Sequence, residues 1–400
     1  MLRPPIEVAD VFAAHADAFL KVYGDAVSSA KRRVLRDLVV CRTAALGGHL
    51  ERCDECGHER PAYDSCRNRH CPKCQAAARA EWLEARATDL LPVEYFHVVF
   101  TVPPSIAEIS LQNKKAMYDI LMRAAAETLK QIAADPKHLG AKIGFLSVLH
   151  TWGQNLHHHP HVHCVVPAGG LSLGGERWVA CRPSFFLPVR VLSSVFRGKF
   201  LDLTRRAFAD DQLQFQGALA KLEDADEFAA HLKHCYANNW VVYAKRPFGG
   251  PAQVLKYLAR YTHRVAISNH RLVSLRDGQV QFRWKDYARG SRQRVMTIDA
   301  VEFIRRFLFH VLPKGFVRIR QYGLLANRCR VENLVRCREL LAGDDNDGSD
   351  IADSIVALTD DGQEPTCPAC GKGTMLRIAV IPGPLRKRWR NRTPLILDSS

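Results

Sequence analysis

Two pairs of side chains carry the clearest chemistry in this chain: His161 with His163, and Tyr257 with Tyr261. In a β-strand alternate side chains share a face, so the two imidazoles of His161-Val162-His163 meet one spot while Val162, Cys164 and Val166 enter the layer behind. In a helix residues four apart are neighbours, and Pro251, behind Gly249-Gly250, suits the first turn of a helix that presents both phenols together. A histidine pair on a strand can hold a divalent ion, and such an ion can polarise a phosphodiester for attack by tyrosine. The ion is needed because a phenol with a pKa near ~10 is a poor nucleophile at neutral pH. The chemistry expected is DNA nicking. Either pair alone has a plain packing explanation, since His-x-His arises often by chance and Tyr-x-x-x-Tyr is a common helical core pair.

The elements that must position these residues are legible in outline. Tyr95 to Val102 reads as a strand stopped by Pro103-Pro104, and Ile143 to Trp152 as the next strand. The chain then turns back through His161-Val162-His163, a hairpin that sets Gln154 close to the two histidines. His158 and His159 read as polar turn residues, and His97 as a buried structural histidine. Helical spacing covers residues 8 to 40 in two pieces broken at Gly24, and recurs at 76–91, 105–133, 195–235 and 299–312. Trp240 to Ala244 is a further strand, and Asp277-Gly278 between two apolar runs is a hairpin signal. No G-x-x-x-x-G-K-[ST] motif follows a strand, which argues against ATP hydrolysis.

The 400 residues hold thirteen cysteines, six of them in C-x-x-C pairs. The N-terminus lacks the apolar core of a signal peptide, so metal sites in a reducing compartment fit better than disulfides. Cys53-x-x-Cys56 and Cys71-x-x-Cys74 match a four-thiolate structural zinc site. Cys66 and His70 complete a second site, replace one ligand, or sit nearby. Cys367-x-x-Cys370 is half a knuckle, with Cys329 and Cys337, or another chain, to supply the rest. The net charge of +16 points to a polyanionic partner, above all nucleic acid, and Arg67 and Arg69 place basic groups on the zinc module where they can meet a DNA backbone. No run is long and apolar enough to span a membrane. Residues 343 to 365 form an acidic linker, and Arg386 to Arg392 a basic tail.

Taken together, Ser65-Cys66-Arg67-Asn68-Arg69-His70-Cys71-Pro72-Lys73-Cys74, Trp152-Gly153-Gln154-Asn155, His159-Pro160-His161-Val162-His163-Cys164 and Tyr257-Leu258-Ala259-Arg260-Tyr261-Thr262-His263-Arg264 resemble the two-tyrosine HUH transposases of the insertion-sequence 91 type, over roughly residues 30 to 340. The resemblance implies an α+β fold: an HUH endonuclease domain with a helix-flanked antiparallel sheet, ferredoxin- or RRM-like, preceded by N-terminal helices and a small zinc-binding module. Expected boundaries are 1–48 for the helices, 49–80 for the zinc module, 92–325 for the HUH domain and 326–400 for a C-terminal region. It implies that Tyr257 and Tyr261 are the nucleophiles, that His161 and His163 bind a catalytic Mg²⁺ or Mn²⁺ with Gln154 as third ligand by position, and that Zn²⁺ is structural. Attack would leave a 5′-phosphotyrosine and a free 3′-OH on single-stranded transposon ends. Lys256, Arg260 and Arg264 either position the DNA backbone or solvate their helix. The protein is expected in the bacterial cytoplasm, nucleoid-associated when acting. The competing reading is a zinc-containing DNA-binding regulator without catalytic activity.

Overall fold

Two amphipathic helices open the chain. α1 (Val8–Tyr23) buries Val8, Val11, Phe12 and Phe19, and α2 (Ser29–Val40) starts at Ser28, whose hydroxyl accepts the Lys31 N–H. The computed structural model describes residues 5–238, 240–248, 253–254, 266–286, 290–342 and 366–385. Tyr257, Tyr261, Lys256, Arg260, Arg264, the acidic stretch and the basic run lie outside the described residues.

After α2 come the hairpin β1 (Gly48–Cys53) and β2 (Glu59–Tyr63), then α3 (Cys74–Ala87) and β3 (Tyr95–Thr101). α4 (Pro104–Gln112) and α5 (Lys114–Ala134) lead to β4 (Ala141–Lys142), β5 (Gly144–Trp152), β6 (His158–Pro167), β7 (Gly169–Ser172) and β8 (Trp178–Ala180). α6 (Val189–Ala209) and α7 (Ala225–Ala237) precede β9 (Val242–Phe248). The chain continues through β10 (Leu272–Arg276), β11 (Gln279–Asp286), β12 (Arg292–Asp299), α8 (Ala300–Phe309), β13 (Ile319–Gly323), α9 (Arg330–Ala342) and β14 (Met375–Ile381). The Asp277-Gly278 turn joins β10 to β11, as its sequence requires. The result is the α+β architecture with antiparallel sheets and flanking helices.

A five-stranded antiparallel sheet in the order β13-β5-β6-β3-β9 dominates the described chain. Its strands alternate, and each face has its own content. Phe96, Val98, Phe100, Phe145, Leu149, Val162, Cys164 and Val166 form one face, buried under α5 and α6 in the largest apolar core. Leu146, Val148, Val165 and Ile319 belong to the other face, where Trp82 of α3 and the fully buried Val254 cover them.

A second core runs across the boundary expected at residue 48. α1 and α2 pack on the β10–β12 sheet and α8, with Phe12 edge-on to Phe307 at 5.2 Å between ring centroids. The C-terminal segment also returns: β14 lies beside β1, in a three-stranded sheet ordered β14-β1-β2.

Candidate metal centres and active site

The antiparallel register of β5, β6 and β3 gathers four histidines on the face of the large sheet that lies opposite the largest core. His150 of β5 stands directly opposite His161 of β6, while His163 stands between Val148 and Val99. Residues two apart on a strand share a face, so His150, His161 and His163 converge. One ring nitrogen of each lies within 4.8 Å of the other two. His150 and His163 are buried and His161 is half-buried. His161 and His163 stand in a motif visible in the sequence; His150 does not, and only its place on β5 opposite His161 brings it in.

The Nδ1 atoms of the two β6 histidines are both engaged in hydrogen bonds. His161 Nδ1 lies 2.7 Å from the His159 carbonyl, an arrangement that requires Nδ1 to carry the proton. His163 Nδ1 lies 2.8 Å from Nε2 of His97, whose ring stacks on it at 5.0 Å. Burial, followed by the nearby Lys245 and His161 charges, pushes the His97 pKa down to about 3, so His97 is a neutral partner able to accept the His163 Nδ1–H. His97 is thus buried as expected, but against a site residue. His150 is stacked on Trp152 at 4.6 Å.

The loop 153–157 beyond β5 is pinned from outside the sheet. The Arg271 guanidinium donates to the Gln154 carbonyl, and Arg306 donates to the Asn155 carbonyl at 3.3 Å. Leu156, in the left-handed region at φ 63°, is buried in the second core. Gln154 follows the end of β5 by two residues, its carbonyl held by Arg271. His158 is not a polar turn residue. It begins β6 on the opposite face, with Nε2 2.8 Å from the Tyr118 hydroxyl and Nδ1 3.0 Å from the Ala107 carbonyl, and burial lowers its pKa to about 3.

The cysteines pair differently from their spacing in sequence. Cys53, Cys56, Cys71 and Cys74 do not share a site; the structure divides them between two groups. Cys71 and Cys74 join Cys41 and Cys66, all four buried, with Sγ–Sγ separations of 3.5 Å (Cys41–Cys74, Cys41–Cys71) and 3.6 Å (Cys66–Cys74). Cys53 and Cys56 join Cys367 and Cys370, with Cys53–Cys370 at 3.8 Å and Cys56–Cys367 at 3.6 Å. A tetrahedron of thiolates about 2.3 Å from zinc has edges of about 3.8 Å, so both groups fit that ion. None of the thirteen cysteines forms a disulfide. The physical reason for the division is that β1 and β2 carry the first knuckle away from α3, whereas Cys41, at the end of α2, faces the start of α3. Cys41 was invisible to motif reading because it stands alone.

His70 lies in neither cysteine group, as one reading of its spacing allowed; its half-buried ring accepts the Leu312 N–H at 3.4 Å. Two further expectations change. Arg69 is turned inward, donating to the carbonyls of Phe316 (2.7 Å) and Pro313 (2.8 Å), so it ties the cysteine loop to the sheet domain and is not a surface phosphate contact. Arg67 is exposed, at φ 51°. Cys329 and Cys337 lie in neither group, Cys337 being packed against α9's own neighbours Leu324 and Leu325.

The fold and these sites define a class: an α+β protein with an N-terminal cysteine-rich metal module and an antiparallel sheet bearing a histidine-apolar-histidine strand. A family profile described as "Transposase zinc-binding domain" matches residues 11–102, and one described as "Putative transposase" matches residues 144–332. The chain is 54% identical to "Putative transposase y4qJ" of Sinorhizobium fredii over 96% of its own length and 97% of that protein. It is 27% identical to "Transposase for insertion sequence element IS801" of Pseudomonas savastanoi pv. phaseolicola, over 76% of this chain and 72% of that one. This chain belongs to the insertion-sequence 91 family of transposases. No solved structure matches it significantly. Its zinc-binding domain carries structural zinc. Among the described residues no helix is long and apolar enough to cross a membrane.

Proposed function

We propose that this transposase nicks and rejoins single-stranded DNA at the ends of its element by tyrosine attack, through a 5′-phosphotyrosine intermediate. The observation that carries the reading is the convergence of His150, His161 and His163 on one sheet face, beside a segment that leads to the tyrosines. Val254, packed in one cluster with Leu146, Val148 and Val165 of that face, precedes Tyr257 by three residues in the sequence.

Three neutral imidazoles, or two with the Gln154 amide oxygen, fit a divalent ion, and nitrogen donors favour Mn²⁺ over the harder Mg²⁺. When bound, such an ion supplies charge stabilisation to the phosphate oxygens. His161 and His163 would hold it, His97 would fix the His163 ring, and His150 adds a third donor. The Tyr257 or Tyr261 oxygen bonds to phosphorus as the bond to the 3′ oxygen breaks; that oxygen leaves with the proton lost by the phenol. Attack by a 3′-OH reverses the step, so rejoining needs no ATP. Two tyrosines allow one strand end to be held while another is resolved. Lys256, Arg260, Arg264 and Arg67 are proposed to contact the DNA backbone.

The test is incubation of the full chain with single-stranded oligonucleotides carrying the element's ends in Mn²⁺, scored for denaturant-resistant protein–DNA adducts. Tyr257→Phe with Tyr261→Phe removes only the two phenolic oxygens. Adduct formation by that double variant would overturn the assignment, and peptide mapping would then name the true nucleophile.

A further inference from the structure

We propose that Cys53, Cys56, Cys367 and Cys370 form a second zinc centre of their own, a clasp that holds the C-terminal strand against the N-terminal hairpin. The two halves come from opposite ends of the chain, and Cys367 and Cys370 lie beyond both family profiles, which end at residues 102 and 332.

The geometry of the four sulfurs is the first support. Their separations of 3.6 and 3.8 Å match the edges of a zinc tetrathiolate, and are far longer than a disulfide bond of about 2 Å. In each half a backbone N–H is aimed at the sulfur of the first cysteine. Cys56 N–H donates to Cys53 Sγ at 3.5 Å, and Ala369 N–H donates to Cys367 Sγ at 3.4 Å. Gly373 N–H adds a bond to Cys370 Sγ at 3.5 Å. Backbone N–H groups aimed at sulfur stabilise the thiolate form that a metal requires.

The docking of the C-terminal segment is the second support and does not depend on contacts between sulfurs. β14 pairs with β1 from Gly48 opposite Ile381 to Cys53 opposite Met375. Asp54 Oδ1 accepts the Thr374 N–H at 2.8 Å, and the Asp54 N–H returns a bond to the Thr374 carbonyl at 3.2 Å. Two glycines permit the close approach: a Cβ on Gly373 would fall 2.5 Å from Cys53 Sγ, and one on Gly383 would fall 2.1 Å from the Gly47 nitrogen. The contact continues to Leu385, whose N–H donates to the Ala45 carbonyl at 3.1 Å.

The two cysteine groups differ in access. Cys41, Cys66, Cys71 and Cys74 are all buried, whereas Cys56 is exposed and Cys370 half-buried. The clasp is therefore the centre that a chelator reaches first.

The experiment measures metal in the full-length protein purified without chelator. Wild type should hold two zinc ions per chain, and Cys367→Ser with Cys370→Ser should hold one. A chromogenic chelator should draw one fast and one slow equivalent from wild type, and only the slow one from the double variant. Hydrogen exchange should show lost protection at residues 375–381 in that variant with α1 and α2 unchanged. Two zinc ions retained by the double variant would overturn the proposal, as would a thiol titre showing the four cysteines oxidised in wild type. If the variant does not fold, Co²⁺ substitution of wild type decides: two equivalents with tetrahedral thiolate absorption support the clasp, and one equivalent overturns it.

Discussion

The two faces of the five-stranded sheet use the same strands for opposite ends. One face of β6 sends Val162, Cys164 and Val166 into a closed apolar core, and the other presents His161 and His163. Polar side chains can gather on the second face because the first supplies the burial that holds the strands. The difference teaches that the histidine geometry is a property of strand register: each imidazole is placed by pairing, and the partner face keeps that pairing rigid. Substitutions on the two faces should therefore separate chemistry from stability.

The sharpest separation is expected from His161→Ala with His163→Ala. Nicking in Mn²⁺ should fall about 10³-fold or more, matching the several kcal/mol that charge stabilisation by a bound ion supplies, while binding of single-stranded DNA in a gel-shift assay changes little. Undiminished cleavage by this variant would place the metal site elsewhere. On the opposite face, Phe100→Ala empties a fully buried position that packs on Phe196 at 4.9 Å. Urea unfolding should show a loss of about 3–5 kcal/mol, with Mn²⁺ affinity of the folded protein unaltered. A loss of metal affinity equal to that in the histidine variant would mean that the faces are not separable.

A smaller effect is expected one step out from the cluster. His97→Ala removes the acceptor for His163 Nδ1 and should weaken Mn²⁺ binding by about 10- to 100-fold in calorimetry. His97→Gln, which restores an acceptor oxygen, should recover part of that loss. Equal affinities for the Ala variant and wild type would reduce His97 to a packing residue.

The smallest effect concerns Lys114, at the edge of the apolar face, whose ammonium donates to the carbonyls of Phe309 (2.7 Å) and Val311 (3.0 Å) at the end of α8. Burial, with a lesser contribution from Lys31, lowers its pKa to about 7. The unfolded chain, with a lysine pKa near ~10.4, binds more protons between the two values, so this group makes stability rise with pH from about 7 to about 10. Thermal unfolding of Lys114→Met against wild type should show that the difference between them depends on pH within this window. A constant difference across it would remove the assignment.

Much of the sheet was legible because its signals are local. The alternation in His161-Val162-His163-Cys164, the Asp277-Gly278 turn and the spacing of α1 all depend on residues a few positions apart. The sites were legible only where their ligands share one strand. His150 needed the β5–β6 register, and the cysteine grouping needed the path of the whole chain: three C-x-x-C pairs cannot say which halves meet, and Cys41 carries no motif. Arg69 looked like a phosphate contact because sequence gives its charge but not the carbonyls of Pro313 and Phe316 that it faces.

The pairing of β14 with β1 also orders events during synthesis. Cys53 closes β1, and Met375, which opens β14, follows more than three hundred residues later. At roughly 5–20 residues per second the ribosome spends about 15–65 s between them, during which one edge of β1 has no strand to pair with. An open edge invites pairing with other chains, and charged side chains blunt that hazard. β1 carries His49, Glu51 and Arg52, with Glu51 hydrogen-bonded to His49 at 3.0 Å and ion-paired to Arg60 at 2.9 Å, contacts that form within the β1–β2 hairpin itself. The nascent hairpin is thus guarded by its own charges until the last strand emerges to complete the sheet.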